Sequence, residues 1–227
     1  MCEMLAITAS HPVPIDEILR WSRLLDQYGV AGFGWGIAST DGTHLFRYRS
    51  VRGIRQDDTA EAALRGLTVT RAFIHLRRPS RMSTIGHLNA QPYQSEGQPW
   101  AFAHNGYFAR YQEHLATYQT ELQGTSDSEV GFLLCRDYLK NGLSLTESLA
   151  ETHNRLQGHA NLMALCQDGT LAVYAGNPDN PVYRFSLGPV QMVTTSLHSP
   201  DRYLFDTIFP SAHAITPMAV GTSLLMP

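Results

Sequence analysis

Cysteine is scarce in this 227-residue chain, with copies only at positions 2, 135 and 166. They are odd in number and widely spaced, and no Cys-x-x-Cys pair occurs. A disulfide framework and a zinc site are therefore not indicated. Lysine is scarcer still, one copy against sixteen arginines. That bias reads as genome composition, although arginine is also the better carboxylate clamp. Charged residues make up 16% of the chain, the formal net charge is −3 and the sequence pI is about 6.3. No global field then favours nucleic acid. No apolar run reaches membrane-spanning length, and no charged n-region with an apolar h-region opens the chain. A soluble, cytoplasmic protein is expected, with no nucleic-acid or membrane partner. Internal repeats, low-complexity tracts and linkers are also missing. Ten histidines are present, yet none pair at His-x-x-x-His spacing within a clear helix, so neither metal nor cofactor is expected.

What is present is globular. Hydrophobic residues are 43% of the chain, and the length suits one large domain or two small ones. Cys2–Ala9 reads as a strand. Ile15–Gln27 carries apolar residues near helical spacing behind Pro12 and Pro14. Gly32–Ser39 and His44–Ser50 read as a hairpin through Asp41-Gly42. A short helix follows at Asp58–Gly66, then a buried strand at Arg71–Arg77. Trp100–Ala103 is a strand stopped by a turn at His104-Asn105-Gly106. Ser128–Asn141 and Leu145–Leu156 are helices. The remainder is mostly strand: Asn161–Cys166, Leu171–Ala175, Val182–Leu187, Gln191–Thr195 and Ala219–Leu225. Strands in antiparallel-looking groups with helices between them indicate an α+β fold rather than a doubly wound sheet.

Chemistry concentrates at Cys2. Removal of Met1, favoured by a small second residue, would place a thiol and a free α-amine on one residue. An α-amine titrates at about pKa 7.7–8.0, so it can act as general base for its own thiol, directly or through one water. Three further segments stand out: His75-Leu76-Arg77-Arg78-Pro79-Ser80, His104-Asn105-Gly106, and Thr125-Ser126-Asp127-Ser128-Glu129. Together with Gly34-Trp35-Gly36 and Asn89-Ala90-Gln91-Pro92-Tyr93, they follow a Met-Cys start in fixed order. This set resembles the class II glutamine amidotransferases of the N-terminal-nucleophile hydrolases, most closely their small stand-alone branch. The resemblance runs from Cys2 to about Leu134 and more loosely beyond. It departs at Phe33, where Asp is expected, at Gln91, where His is usual, and at Thr195-Ser196-Leu197-His198.

The resemblance implies a four-layer αββα sandwich over residues 1–227 as a single domain. It also implies site roles. Cys2 attacks a γ-glutamyl amide and forms a thioester. Asn105 and the Gly106 N–H stabilise the oxyanion. Arg77 grips the substrate carboxylate and Asp127 the ammonium, with Ser80 and His104 among the substrate-binding positions. Ammonia and glutamate leave. Arg77 suits its role because a guanidinium makes two parallel hydrogen bonds to a carboxylate. A separate synthase subunit would consume the ammonia. Two rivals share these residues: a stand-alone hydrolase of γ-glutamyl peptides or thiol adducts, and a degenerate, non-enzymatic regulatory subunit. Blander roles also compete. His75 and His104 read as bracing histidines. Asp127 or Ser126 reads as a helix N-cap, with Glu129 completing a capping box. Arg78 is structural or a gate. Arg47, Arg49, Arg52 and Arg55 read as a solvated hairpin face, Cys135 and Cys166 as inert packing, and the Arg81–His87 loop as a candidate lid.

Overall fold

The computed structural model describes residues 2–197 and 202–226. In chain order its elements are β1 (Glu3–Pro14), α1 (Ile15–Tyr28), β2 (Trp35–Thr40), β3 (Leu45–Ser50), α2 (Asp58–Leu64), β4 (Thr68–Leu76) and β5 (Trp100–Phe108). There follow α3 (Leu115–Tyr118), α4 (Asp127–Lys140), α5 (Leu145–Leu156), β6 (Gly158–Cys166), β7 (Leu171–Ala175), β8 (Val182–Leu187) and β9 (Val190–Thr195). The chain then adds α6 (Arg202–Ile208), β10 (His213–Pro217) and β11 (Thr222–Met226). The strands form a seven-stranded sheet, β10-β8-β9-β1-β4-β2-β3, and a four-stranded sheet, β11-β7-β6-β5. Every recorded pairing is antiparallel.

Strand alternation builds the layers, because successive side chains point to opposite faces. On β1, Leu5 and Ile7 join a core with Ile15, Ile18, Leu19 and Leu25 of α1. Met4 and Ala6 face the other way, packing with Phe73 of β4 and Ala101, Ala103 and Met163 of the smaller sheet. The remaining face of that sheet, with Phe102, Leu162 and Tyr174, packs on Val130, Phe132 and Leu149 of α4 and α5. The order is thus helix, sheet, sheet, helix. Burying each large apolar side chain is worth about 1.5–3 kcal/mol, so these three clusters supply the main driving force. Small residues at the sheet–sheet contact, Ala6, Ala38, Ala101 and Ala103, suit a close approach.

Local sequence explains the boundaries. Asp16 and Glu17 sit in the first turn of α1, where the helix dipole favours negative charge. Ser144 and Glu147 form a reciprocal capping box on α5. No helix among the described residues is long and apolar enough to cross a membrane.

Two expectations are corrected. The His104-Asn105-Gly106 segment does not stop a strand. It lies inside β5, whose pairing with β6 continues through Asn105↔Asn161, Gly106↔Ala160 and Phe108↔Gly158. Gly106 does have φ +130, but a Cβ there would fall 1.9 Å from the His159 carbonyl oxygen. Its glycine answers to close strand approach, not to a reversal. The α4 capping box is also absent. Ser126 is the N-cap and accepts from Ser128 N–H, but the Glu129 carboxylate instead takes the N–H groups of Gln123 and Gly124, at 3.0 and 2.8 Å.

Candidate active site

Chain topology brings the N-terminal end of β1, the C-terminal end of β4, the far part of β5 and the start of α4 to one cavity of about 450 Å³. Cys2, Arg77, Ser80, His104, Gly106 and Asp127 all line it. Asn105 does not. It lies wholly buried, where its amide donates to the Cys2 carbonyl oxygen and its Oδ1 accepts from Asn177 Nδ2 at 3.4 Å.

The Cys2 Sγ accepts from Arg78 N–H at 3.3 Å and lies 3.5 Å from the Arg78 carbonyl oxygen. Burial pushes the thiol pKa above its usual 9.0, a rise opposed by the Arg78 N–H and the Arg77 charge. The thiol in this setting needs a base to ionise it. Arg77 is buried and gives Nη2 to Thr84, at 2.9 Å to the carbonyl and 3.0 Å to the hydroxyl. Thr84, within the Arg81–His87 loop read as a candidate lid, therefore anchors Arg77. Asn89 extends that anchor. It donates to Thr84 O at 3.1 Å and accepts from Thr125 and Ser126 N–H at 2.8 and 3.1 Å. One side chain thus ties the Arg77 support to the start of α4.

Asp127 is the first residue of α4. Its carboxylate accepts from Phe108 N–H at 2.8 Å and Ser128 N–H at 2.9 Å. Those bonds leave acceptor capacity on a two-oxygen carboxylate. His104 is buried, bonded through Nδ1 to Ser128 Oγ at 2.8 Å and stacked on Phe108 with centroids 4.2 Å apart. Burial holds its pKa down at about 4 and that of His75 at about 3, so both are neutral near pH 7. His75 Nε2 lies 3.1 Å from the His104 carbonyl oxygen, linking the two sheets. These are bracing contacts, as the sequence suggests. Gln91, the unusual residue of its motif, spans β5 by accepting from His104 N–H at 2.6 Å and donating to His104 O at 3.2 Å.

Other residues escaped the sequence reading. Asn180 donates to the Cys2 carbonyl at 3.1 Å and to Glu3 Oε2 at 3.3 Å. Asn161 holds Asn180 O at 2.8 Å and accepts from Gly176 and Asn177 N–H, both at 3.0 Å. Asn177-Pro178 reads in the sequence only as a turn, and strand position alone gives no hint of such a network. Arg78 reaches Val30 O at 3.0 Å and lies 5.8 Å from the Phe33 ring centroid, so the departure at Phe33 shapes the rim. The basic stretch is not uniformly solvated. Arg52 is exposed and Arg55 pairs with Asp26 at 2.8 Å, but Arg47 and Arg49 are half-buried. Cys135 is fully buried, and Cys166 partly so. Met1 and His198 lie outside the described residues. Among the described residues, no three His, Cys, Asp or Glu side chains cluster as metal ligands.

This chain is similar in sequence to several known proteins. It is 25% identical over 170 residues to glutamine–fructose-6-phosphate aminotransferase (isomerizing) of Halalkalibacterium halodurans, covering 73% of the chain but 27% of that relative. It therefore spans about a quarter of the length of that enzyme. A putative glutamine amidotransferase of Haemophilus influenzae is 25% identical over 185 residues, 78% of this chain and 60% of the relative. Among solved structures, glutamine phosphoribosylpyrophosphate amidotransferase from B. subtilis superposes with a TM-score of 0.76 at 19% identity, over 99% of this chain and 47% of that one. A glutamine aminotransferase class-II domain protein from Silicibacter pomeroyi gives 0.60 at 20% identity, over 86% and 88%. These likenesses agree on the fold of two antiparallel sheets between helices. The family model of class-II glutamine amidotransferases matches residues 1–184, and the chain belongs to that family.

Proposed function

We propose that this chain, as one domain over residues 1–227, hydrolyses a γ-glutamyl amide through Cys2 once Met1 is removed. The observation that carries the reading is the shared cavity: a thiol, a buried guanidinium and a helix-start carboxylate face one volume. The Cys2 α-amine takes the thiol proton, and the thiolate attacks the side-chain amide carbon. Arg77 receives the substrate α-carboxylate and Asp127 the α-ammonium, which fixes the amide relative to Sγ. An amide nitrogen carries two hydrogens. Asn105 spends one on the Cys2 carbonyl from behind the cavity wall; giving the second to the oxyanion requires its amide to turn toward the cavity, where Gly106 already lies. Losing one such donor typically costs about 3–4 kcal/mol of transition-state stabilisation. Ser80, at the exposed rim, and His104, at the floor, complete the substrate-binding positions. The amine returns its proton to the leaving ammonia, and water then cleaves the thioester to give glutamate.

Glutamine is the expected substrate, and a separate synthase subunit is a candidate consumer of the ammonia. A second reading, hydrolysis of a larger γ-glutamyl conjugate, draws support from the cavity's extension past the clamp to Tyr107, Tyr111 and Gln112. Glutamate release from glutamine and from a γ-glutamyl dipeptide tests both. The account expects turnover of glutamine by the processed protein and none by Cys2→Ala. Faster turnover of the dipeptide would favour the second reading, and release by Cys2→Ala would sink both.

A further inference from the structure

A second cavity of about 720 Å³ lies between the β3 edge of the larger sheet and α4. Arg47 and Arg49 line it. They stand two apart on β3, so their side chains leave the same face. Tyr48 leaves the other, where it bonds Asp57 at 2.8 Å and packs on Trp35. Each arginine spends Nη1 on a backbone carbonyl, Arg47 on Gln94 at 3.2 Å and Arg49 on Ala90 at 2.8 Å. Among the described residues neither forms an ion pair. Glu96, Glu121 and Glu129 line the same cavity, with Arg136 as a third cation, but these carboxylates are otherwise engaged or in solvent. Glu121 pairs with Arg136, Glu129 holds two backbone N–H groups, and Glu96 is exposed. Tyr93 lines the same cavity, and its buried hydroxyl has no hydrogen-bond partner.

Half-buried cations outside an ion pair are costly, and at Arg49 the charge of Glu129 offsets only part of the effect of burial. Burial and the charge of Arg49 pull the Arg47 pKa down to about 10, and burial lowers that of Arg49. An anion seated between them would relieve both effects. We infer that this cavity binds a phosphomonoester of small-molecule size, with Arg47, Arg49 and the Tyr93 hydroxyl each donating to a phosphate oxygen. Three separate donor groups match a tripod of three terminal oxygens better than they match a planar carboxylate. The volume leaves room for the organic part of the molecule. The assignment does not depend on the role of Cys2.

Calorimetric titration with glycerol phosphate, inorganic phosphate and malonate tests it on the full chain. Glycerol phosphate is expected to bind one-to-one, more tightly than malonate and more weakly as salt rises. Arg47→Gln is expected to weaken it by roughly tenfold or more, and Tyr93→Phe by a smaller factor. Far-UV circular dichroism and thermal melting of both variants report that the fold is intact. Absence of phosphate binding by the wild type, affinity unchanged in Arg47→Gln, or preference for malonate would each overturn the proposal.

Discussion

Cys2 is held less by its own side chain than by its main chain. Asn105 and Asn180 both donate to its carbonyl, and Glu3 behind it is fixed by Thr195 Oγ1 at 2.5 Å. This pins the thiol, while the hydrogen bonds of Sγ among the described residues are to the Arg78 backbone. Arg77 illustrates why residue type matters. Its Nη2 is committed to Thr84, so the substrate must use the remaining edge of the fork. Arg77→Lys would keep the charge but lose the paired donors. Glutamine kcat/KM is expected to fall about 10- to 150-fold, the equivalent of about 1.5–3 kcal/mol, mostly through KM; steady-state kinetics read this directly, and a fall confined to kcat would remove Arg77 from the binding step. Glu3 gives a pH signature. Burial raises its carboxyl from 4.5 to about 7. Between those values the native state keeps a proton that the unfolded chain has released, so stability falls as pH rises; below 4.5 and above about 7 the contribution is level. Glu3→Gln cannot ionise. Its stability relative to wild type is expected to improve across that window by roughly 3 kcal/mol. Urea unfolding of both proteins at pH 4.5 and pH 8 measures it, and an equal difference at the two pH values would rule it out.

At the scale of elements, β5 and α4 do the positioning together. Phe108, the last residue of β5, gives its N–H to Asp127 and its ring face to His104. Gly131 on α4 makes room for that ring, since a Cβ there would lie 2.3 Å from Phe108 Cε2. Helix propensity alone would reward Gly131→Ala by about 1 kcal/mol. The clash is expected to reverse the sign, lowering Tm and raising KM for glutamine through a displaced Asp127. A higher Tm with unchanged KM would show that the ring has space to yield. Helices with strong local signals were legible in the sequence: α1 starts at Ile15 behind Pro14, and α5 runs from Leu145 to Leu156 as expected. The His-Asn-Gly segment misled because Asn-Gly is the commonest hairpin signal, and only the register with β6 shows its strand role. Strand β10 and helix α6 were missed; both are short, and β10 pairs at one edge of the sheet, where periodicity is weakest.

At the scale of the whole molecule, the two sheets place their candidate site residues at one end by layering. The alternation of β1 and β4 puts Met4 and Phe73 between the sheets, and the same faces carry Cys2 and Arg77 to the mouth of the cavity. Neutral His75 joins the sheets there through the His104 carbonyl. The motifs in order revealed which segments meet. They could not reveal that Asn89 couples the Arg77 anchor to α4, or that Asn161, Asn177 and Asn180 support Cys2 from the far end of the chain, because those contacts depend on tertiary register. The central claim is that Cys2 is the nucleophile and that its cavity accepts a glutamine-shaped molecule. An intact mass spectrum after exposure to a glutamine-mimicking diazo-ketone tests it most directly. The account predicts loss of Met1 and one adduct, mapped to Cys2. Retention of Met1, or an adduct on Cys135 or Cys166 with Cys2 untouched, would contradict it.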